Sequence, residues 1–189
     1  YITQQGLLKK GDRVVICLPQ RGIEPHERRA QGLHSVLETE TGCVVDYISG
    51  WGSEIAKIPE QLAAYYRGHP DVKAFFAVEG GLGQGFEAFM RSVGLAPGSM
   101  PNVMWDPTEA TMASIKSGYI TGSDDQQFYL QGFFPPVIIW LWKNAFTHFM
   151  APVSINVGAT IVDKTNVDVF EKFQAACVEQ VKALGWFTF

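Results

Sequence analysis

Ser123-Asp124-Asp125-Gln126-Gln127-Phe128-Tyr129-Leu130-Gln131-Gly132 is a polar knot set between two apolar stretches. Residues 119–122 read as a short strand in front of it, and the apolar run 133–142 follows. A junction of this kind places carboxylates and side-chain amides at the edge of a sheet, just where the chain leaves it. Open parallel sheets bind their ligands in that position, in the crevice beyond the carboxyl ends of the strands.

Upstream of the knot, five short apolar runs at 13–18, 43–48, 73–78, 102–105 and 119–122 read as strands. They are nearly continuous in β-branched and aromatic residues, as expected of strands buried on both faces. Amphipathic stretches between them predict helices at 25–42, 53–67, 83–93 and 107–117. Pro25 starts the first of these and Gly42 ends it, with Ala30, Leu33 and Leu37 on its buried side. Strand, helix and strand with short connections predict an α/β fold with a parallel, Rossmann-like sheet built from βαβ units. Beyond Gln126 the rhythm changes to a long apolar helix (126–146), an extended stretch (153–162) and a last helix (167–184). Val167, Phe170, Phe173, Cys177, Val181 and Leu184 form the stripe of that helix, with Thr165 or Asn166 as its cap. The long helix is apolar around most of its circumference, which predicts packing against something this chain does not contain.

Composition narrows the function classes. Hydrophobic residues make up 47% of the 189 and suffice for a core, while a net charge of −4 gives no reason to expect nucleic acid. The run 133–142 is half the roughly 20 residues of a membrane span and contains Pro135 and Pro136. Cys17, Cys43 and Cys177 have no metal-like spacing and read as small buried hydrophobes. No metal and no cofactor are expected. The chain opens at Tyr1 rather than Met, which predicts that an upstream piece has been removed.

Several stretches, in order, resemble the sugar-binding class of type-I periplasmic binding proteins, the ribose-binding-protein-like receptors of ABC importers. Lys10-Gly11-Asp12-Arg13-Val14-Val15 is similar to the entry of the second lobe's first strand, and Glu27-Arg28-Arg29-Ala30-Gln31-Gly32-Leu33 to an Arg-x-x-Gly helix start. His69 to Ala74 with Ala77-Val78-Glu79 resembles the third strand and its cleft loop, and Val103-Met104-Trp105-Asp106 a strand ending in a ligand-facing acid. Asp125-Gln126 with Gln131-Gly132 resembles the crossover between lobes, and Asn156-Val157-Gly158 with Asp163-Lys164-Thr165-Asn166 the final return.

The resemblance implies that residues 1–125 are the second lobe, 126–150 a helical return to the first lobe, and 151–189 a recrossing strand and final helix. Most of the first lobe is then missing from this chain, as a companion chain or another part of the protein. The family works by hinged closure on a solute, delivers it to a membrane permease and resides in the periplasm or is lipid-anchored outside the cell. It performs no catalysis, so no catalytic residue is expected. The hinges fall near 122–125 and 156–158.

Five residues are candidates for touching the ligand. Gln126 matches the crossover glutamine that looks into the cleft, although it also sits where the long helix needs a cap. Asp106 matches the ligand-facing acid; with Pro107 and Glu109 it equally reads as a capping box. Glu79 follows the third strand, either lining the cleft or capping the next helix. Glu27 stands where the resemblance implies an arginine, so it reverses the charge, with Arg28 or Arg21 as substitutes; stabilising its helix start is the other role open to it. Trp51, in Gly50-Trp51-Gly52, is a stacking platform for a sugar ring or a wall residue of the domain. Carboxylates and amides suit a neutral monosaccharide or polyol, or an amino-bearing variant, because every hydroxyl can donate to them.

Two other classes compete. Gly80-Gly81-Leu82-Gly83-Gln84-Gly85 follows a strand but lacks the G-x-G-x-x-G spacing of a dinucleotide loop. The serines stand in no G-x-S-x-G elbow and the four histidines in no H-x-x-x-H pair. The stronger alternative is a ligand-sensing domain of a transcriptional regulator or receptor, which uses the same fold.

Overall fold

A computed structural model describes residues 1–144 and 154–183. Strands β1 (Arg13–Leu18), β2 (Val44–Ser49), β3 (Val72–Ala77), β4 (Asn102–Trp105), β5 (Gly122–Asp125) and β6 (Thr160–Asp163) form one sheet in the order β2-β1-β3-β4-β5-β6. All neighbours are parallel except β5 and β6, which are antiparallel. Helices α1 (Glu24–Thr39), α2 (Ile58–Gly68), α3 (Gly81–Ser92) and α4 (Glu109–Ser117) connect the first five strands.

The near-continuous apolar strands have the cause expected of them. Val14, Ile16 and Leu18 of β1 pack with Ala30 and Leu37 of α1, while Val15 and Cys17 face the layer of α2, α3 and α4. Successive strand residues point to opposite faces, so a strand covered on both sides favours apolar residues at consecutive positions. The glycine run at the start of α3 serves helix packing. A Cβ at Gly85 would come within 2.9 Å of Ile58 Cβ, and one at Gly83 would collide with Thr111. These contacts account for the glycines without a phosphate.

Three expectations are corrected. The fifth strand is not 119–122 but Gly122–Asp125, so the polar knot itself supplies the strand. Tyr119 and Ile120 are buried ahead of it in the core. The register is pinned by Asn102, whose backbone N–H donates to Thr121 Oγ1 at 3.1 Å and whose side-chain amide donates to the Tyr119 carbonyl at 3.0 Å. Thr108, not Asp106, caps α4, accepting a hydrogen bond from the Thr111 N–H, and Asp106 takes a left-handed φ of 58°. Cys177 is only half-buried, whereas Cys17 and Cys43 are buried.

After β5 the chain runs into α5 (Phe128–Asn144), which contains Pro135 and Pro136 and has no buried residue. It then returns as β6 and ends in α6 (Val167–Ala183), where Val167 alone is buried. Asn166 does not cap α6 with its side chain; its Oδ1 accepts from the Asp163 N–H and its Nδ2 donates to the Ile161 carbonyl. Lys116 of α4 bridges to Asp168 at 3.1 Å and Glu171 at 2.6 Å, holding α6 against the lobe. The expected end of the long helix at 146, the start of the extended stretch at 153 and the stripe residue Leu184 lie outside the described residues.

Candidate functional site

The carboxyl ends of β3, β4 and β5 lie side by side, and the loops leaving them bring a chain of polar groups together. Gln126, the first residue beyond β5, donates from Nε2 to Asp106 Oδ1 at 2.7 Å, and its Oε1 accepts from Arg29 Nη2 at 3.0 Å. Arg29 reaches over from α1, donates from Nη1 to the carbonyl of Val78 at 2.9 Å and lies over the Trp105 ring, 4.3 Å from its centroid. Asp106 is also tied to β5 through its backbone N–H, which donates to the Asp124 carbonyl at 2.8 Å. Gln127 follows with a left-handed φ of 63°, turning the chain out of the sheet into α5.

Charge in this cluster is unbalanced. Arg29 faces Asp106 and Asp124, with Asp125 next in line. Burial, reinforced by the charges of Asp125 and Asp106, pushes the Asp124 carboxyl up to about 6. Burial also raises Asp106 against the opposing pull of its Gln126 hydrogen bond and Arg29, and raises Asp125. These acids are held in a partly dehydrated place because the backbone turns there, and ionising all of them together is unfavourable.

The five candidates separate. Gln126 and Asp106 are in direct contact. Glu79 sits in the adjoining loop, where Gly80 lies so close to Asp106 that a Cβ would stand 3.1 Å from its Cβ. Its two oxygens accept from the Gly81 N–H at 2.6 Å and the Leu82 N–H at 3.2 Å, so in this state it caps α3. Glu27 is turned away: Arg21 grips it with two hydrogen bonds of 2.7 and 3.0 Å and the Gly22 N–H donates to it, which lowers its pKa. Trp51 is 2% exposed inside the core, so it is the wall residue and offers no face for stacking.

The residue that sequence reasoning missed is Arg29. Of the two proposed substitutes, Arg28 pairs with Glu24 at the surface and Arg21 is spent on Glu27. Arg29 lies four residues before Leu33 and eight before Leu37, on the same helical stripe, and that spacing was the available signal. Arg29, not Glu27, is thus the α1 side chain that reaches the strand ends. A groove of about 420 Å³ also runs from Arg29, Trp105 and Asp124 between α1 and the sheet, but its walls are Leu33, Val36, Phe76 and Val103. Donors and acceptors gather at the end of the groove where Arg29 and Asp124 lie.

No family model matches the chain. A curated relative, the xylose/arabinose-binding protein XylF of Sulfolobus acidocaldarius, is 29% identical over 168 residues, covering 87% of this chain and 41% of the relative. Among solved structures, an ABC transporter solute-binding protein from Agrobacterium vitis bound with α-D-tagatopyranose superposes with a TM-score of 0.75 at 23% identity, over 87% of this chain and 54% of that one. The periplasmic ribose ABC transporter structure from Conexibacter woesei gives 0.79 at 18% identity, over 91% and 56%. The chain thus spans about half the length, or less, of the proteins it matches. In sequence and in fold it is similar to one lobe of the sugar-binding proteins of ABC importers.

Proposed function

We propose that this chain supplies the second lobe of a solute receptor that binds a monosaccharide or polyol between two lobes and presents it to a membrane permease. Residues 1–125 are the lobe proper, 126–150 the segment that returns to the first lobe, and 151–189 the recrossing strand and final helix. Binding, not chemistry, is the activity, and the place of work is the periplasm or the outer face of the cell. The observation that carries this reading is the Arg29–Gln126–Asp106 chain at the carboxyl ends of the strands, set directly on the turn at Gln127.

The physics is direct. Gln126 and Asp106 present amide and carboxylate groups to hydroxyls, and Arg29 supplies donors in a rigid plane. A ligand that also touches the first lobe favours the closed state by its differential affinity for it. The acid-rich cluster disfavours sugar phosphates and sugar acids and suits neutral or amino-bearing polyols.

Calorimetry on the two-lobe receptor with D-xylose, L-arabinose, D-ribose and myo-inositol tests the reading. At least one binds, and Gln126→Ala and Asp106→Ala each weaken it by about 1–3 kcal/mol, the cost of leaving a buried partner unpaired. Unchanged affinity in both variants overturns the site. Failure of neutral sugars, polyols and amino sugars alike to bind overturns the function.

A further inference from the structure

Trp105 closes β4 immediately before Asp106, and its indole lies under the Arg29 guanidinium at 4.3 Å. Its Nε1 is buried without a partner, so what the ring contributes here comes from its face and not from its N–H. The guanidinium is thereby held at three points: the indole beneath it, the Val78 carbonyl on Nη1 and Gln126 Oε1 on Nη2. Three points define a plane. Of the five N–H donors of an arginine, these contacts engage two, and the rest lie in the same fixed plane.

We propose that Trp105 is a positioning residue: its indole fixes the plane of the Arg29 guanidinium, so that the remaining donors meet the ligand's hydroxyls edge-on. Trp105 does not itself stack on the sugar in this arrangement. A long arginine stem has many rotamers, and a flat aromatic surface removes most of them while attracting the positive charge to its π-face. The inference rests on the sugar-binding reading for its consequence, but the platform itself exists without ligand.

Arginine side-chain NMR of the ligand-free two-lobe protein tests the platform. The Arg29 Nε–H signal is shifted upfield by the ring current, keeps part of that shift in Trp105→Phe, and joins the other arginines in Trp105→Leu. An Arg29 signal at the ordinary position in the wild type, or one unmoved in Trp105→Leu, overturns the proposal. If the leucine variant does not fold, Trp105→Phe decides: its Arg29 signal stays upfield if the proposal holds. With L-arabinose as the probe, Trp105→Leu lowers affinity about tenfold in the wild-type background and not further in Arg29→Met. Equal losses in both backgrounds mean that Trp105 touches the sugar directly, and the proposal falls. A wild-type protein that ignores every sugar counts against the receptor reading, while the ligand-free spectra still decide the platform.

Discussion

Asp124 is the residue whose placement has the most measurable consequence. Its folded carboxyl titrates at about 6, well above the ordinary aspartate value, because of burial and then the neighbouring Asp125 and Asp106. The folded state therefore holds a proton that the unfolded state releases near pH 4. As pH rises from about 4 to about 6 the unfolded Asp124 binds less proton than the folded one, so its contribution to stability falls across that window by about 3 kcal/mol and is level above it. Asp124→Asn removes most of this decline and stabilises the protein at pH 7; urea melts at several pH values measure it. A decline of the same size in the variant assigns the effect to Asp106 and Asp125, which are shifted in the same direction.

At the scale of elements, the helical layer over one face of the sheet depends on absent side chains. Gly85 of α3 is pressed against Ile58 at the start of α2. Gly85→Ala gains some helix propensity but overpacks this contact, and the net is a loss of about 1–2 kcal/mol. The urea midpoint reports it; a raised midpoint would mean that α2 and α3 separate freely. The β5 strand teaches the opposite lesson about pattern reading. Apolar content marked Tyr119 and Ile120 as the strand, yet those side chains fill the core and Gly-Ser-Asp-Asp forms the ladder between β4 and β6. Backbone pairing needs no apolar side chain; of the polar ones, Asp125 accepts from the Gln127 N–H, while Ser123 Oγ is buried without a partner.

For the whole molecule, the exposed helix α5 is the telling element. Phe128, Trp140 and Trp142 are each about 60% exposed on a helix with no buried residue. Among the described residues no helix is long and apolar enough to cross a membrane. We expect this surface to be covered by the first lobe. Acrylamide quenches a large part of the tryptophan emission in the isolated chain and much less of it once the first lobe is present. Equal quenching in both forms argues against 126–150 as the returning segment.

The alternation of apolar strands with amphipathic helices was legible along the chain, because burial on both faces forces that composition and a helix between successive strands returns the chain for parallel pairing. So was the placing of Gln126 and Asp106 at strand ends, where the two meet. Which side chains of α1 and the loops gather there was not. Glu27, Arg28 and Arg29 are consecutive on α1, about 100° apart around its axis. Only the seating of that helix against the sheet decided that Arg29 turns inward, while Glu27 closes on Arg21 and Trp51 sinks into the core. Composition and period are local properties that one strand or helix expresses alone, whereas the direction of a side chain is set by neighbours many residues away.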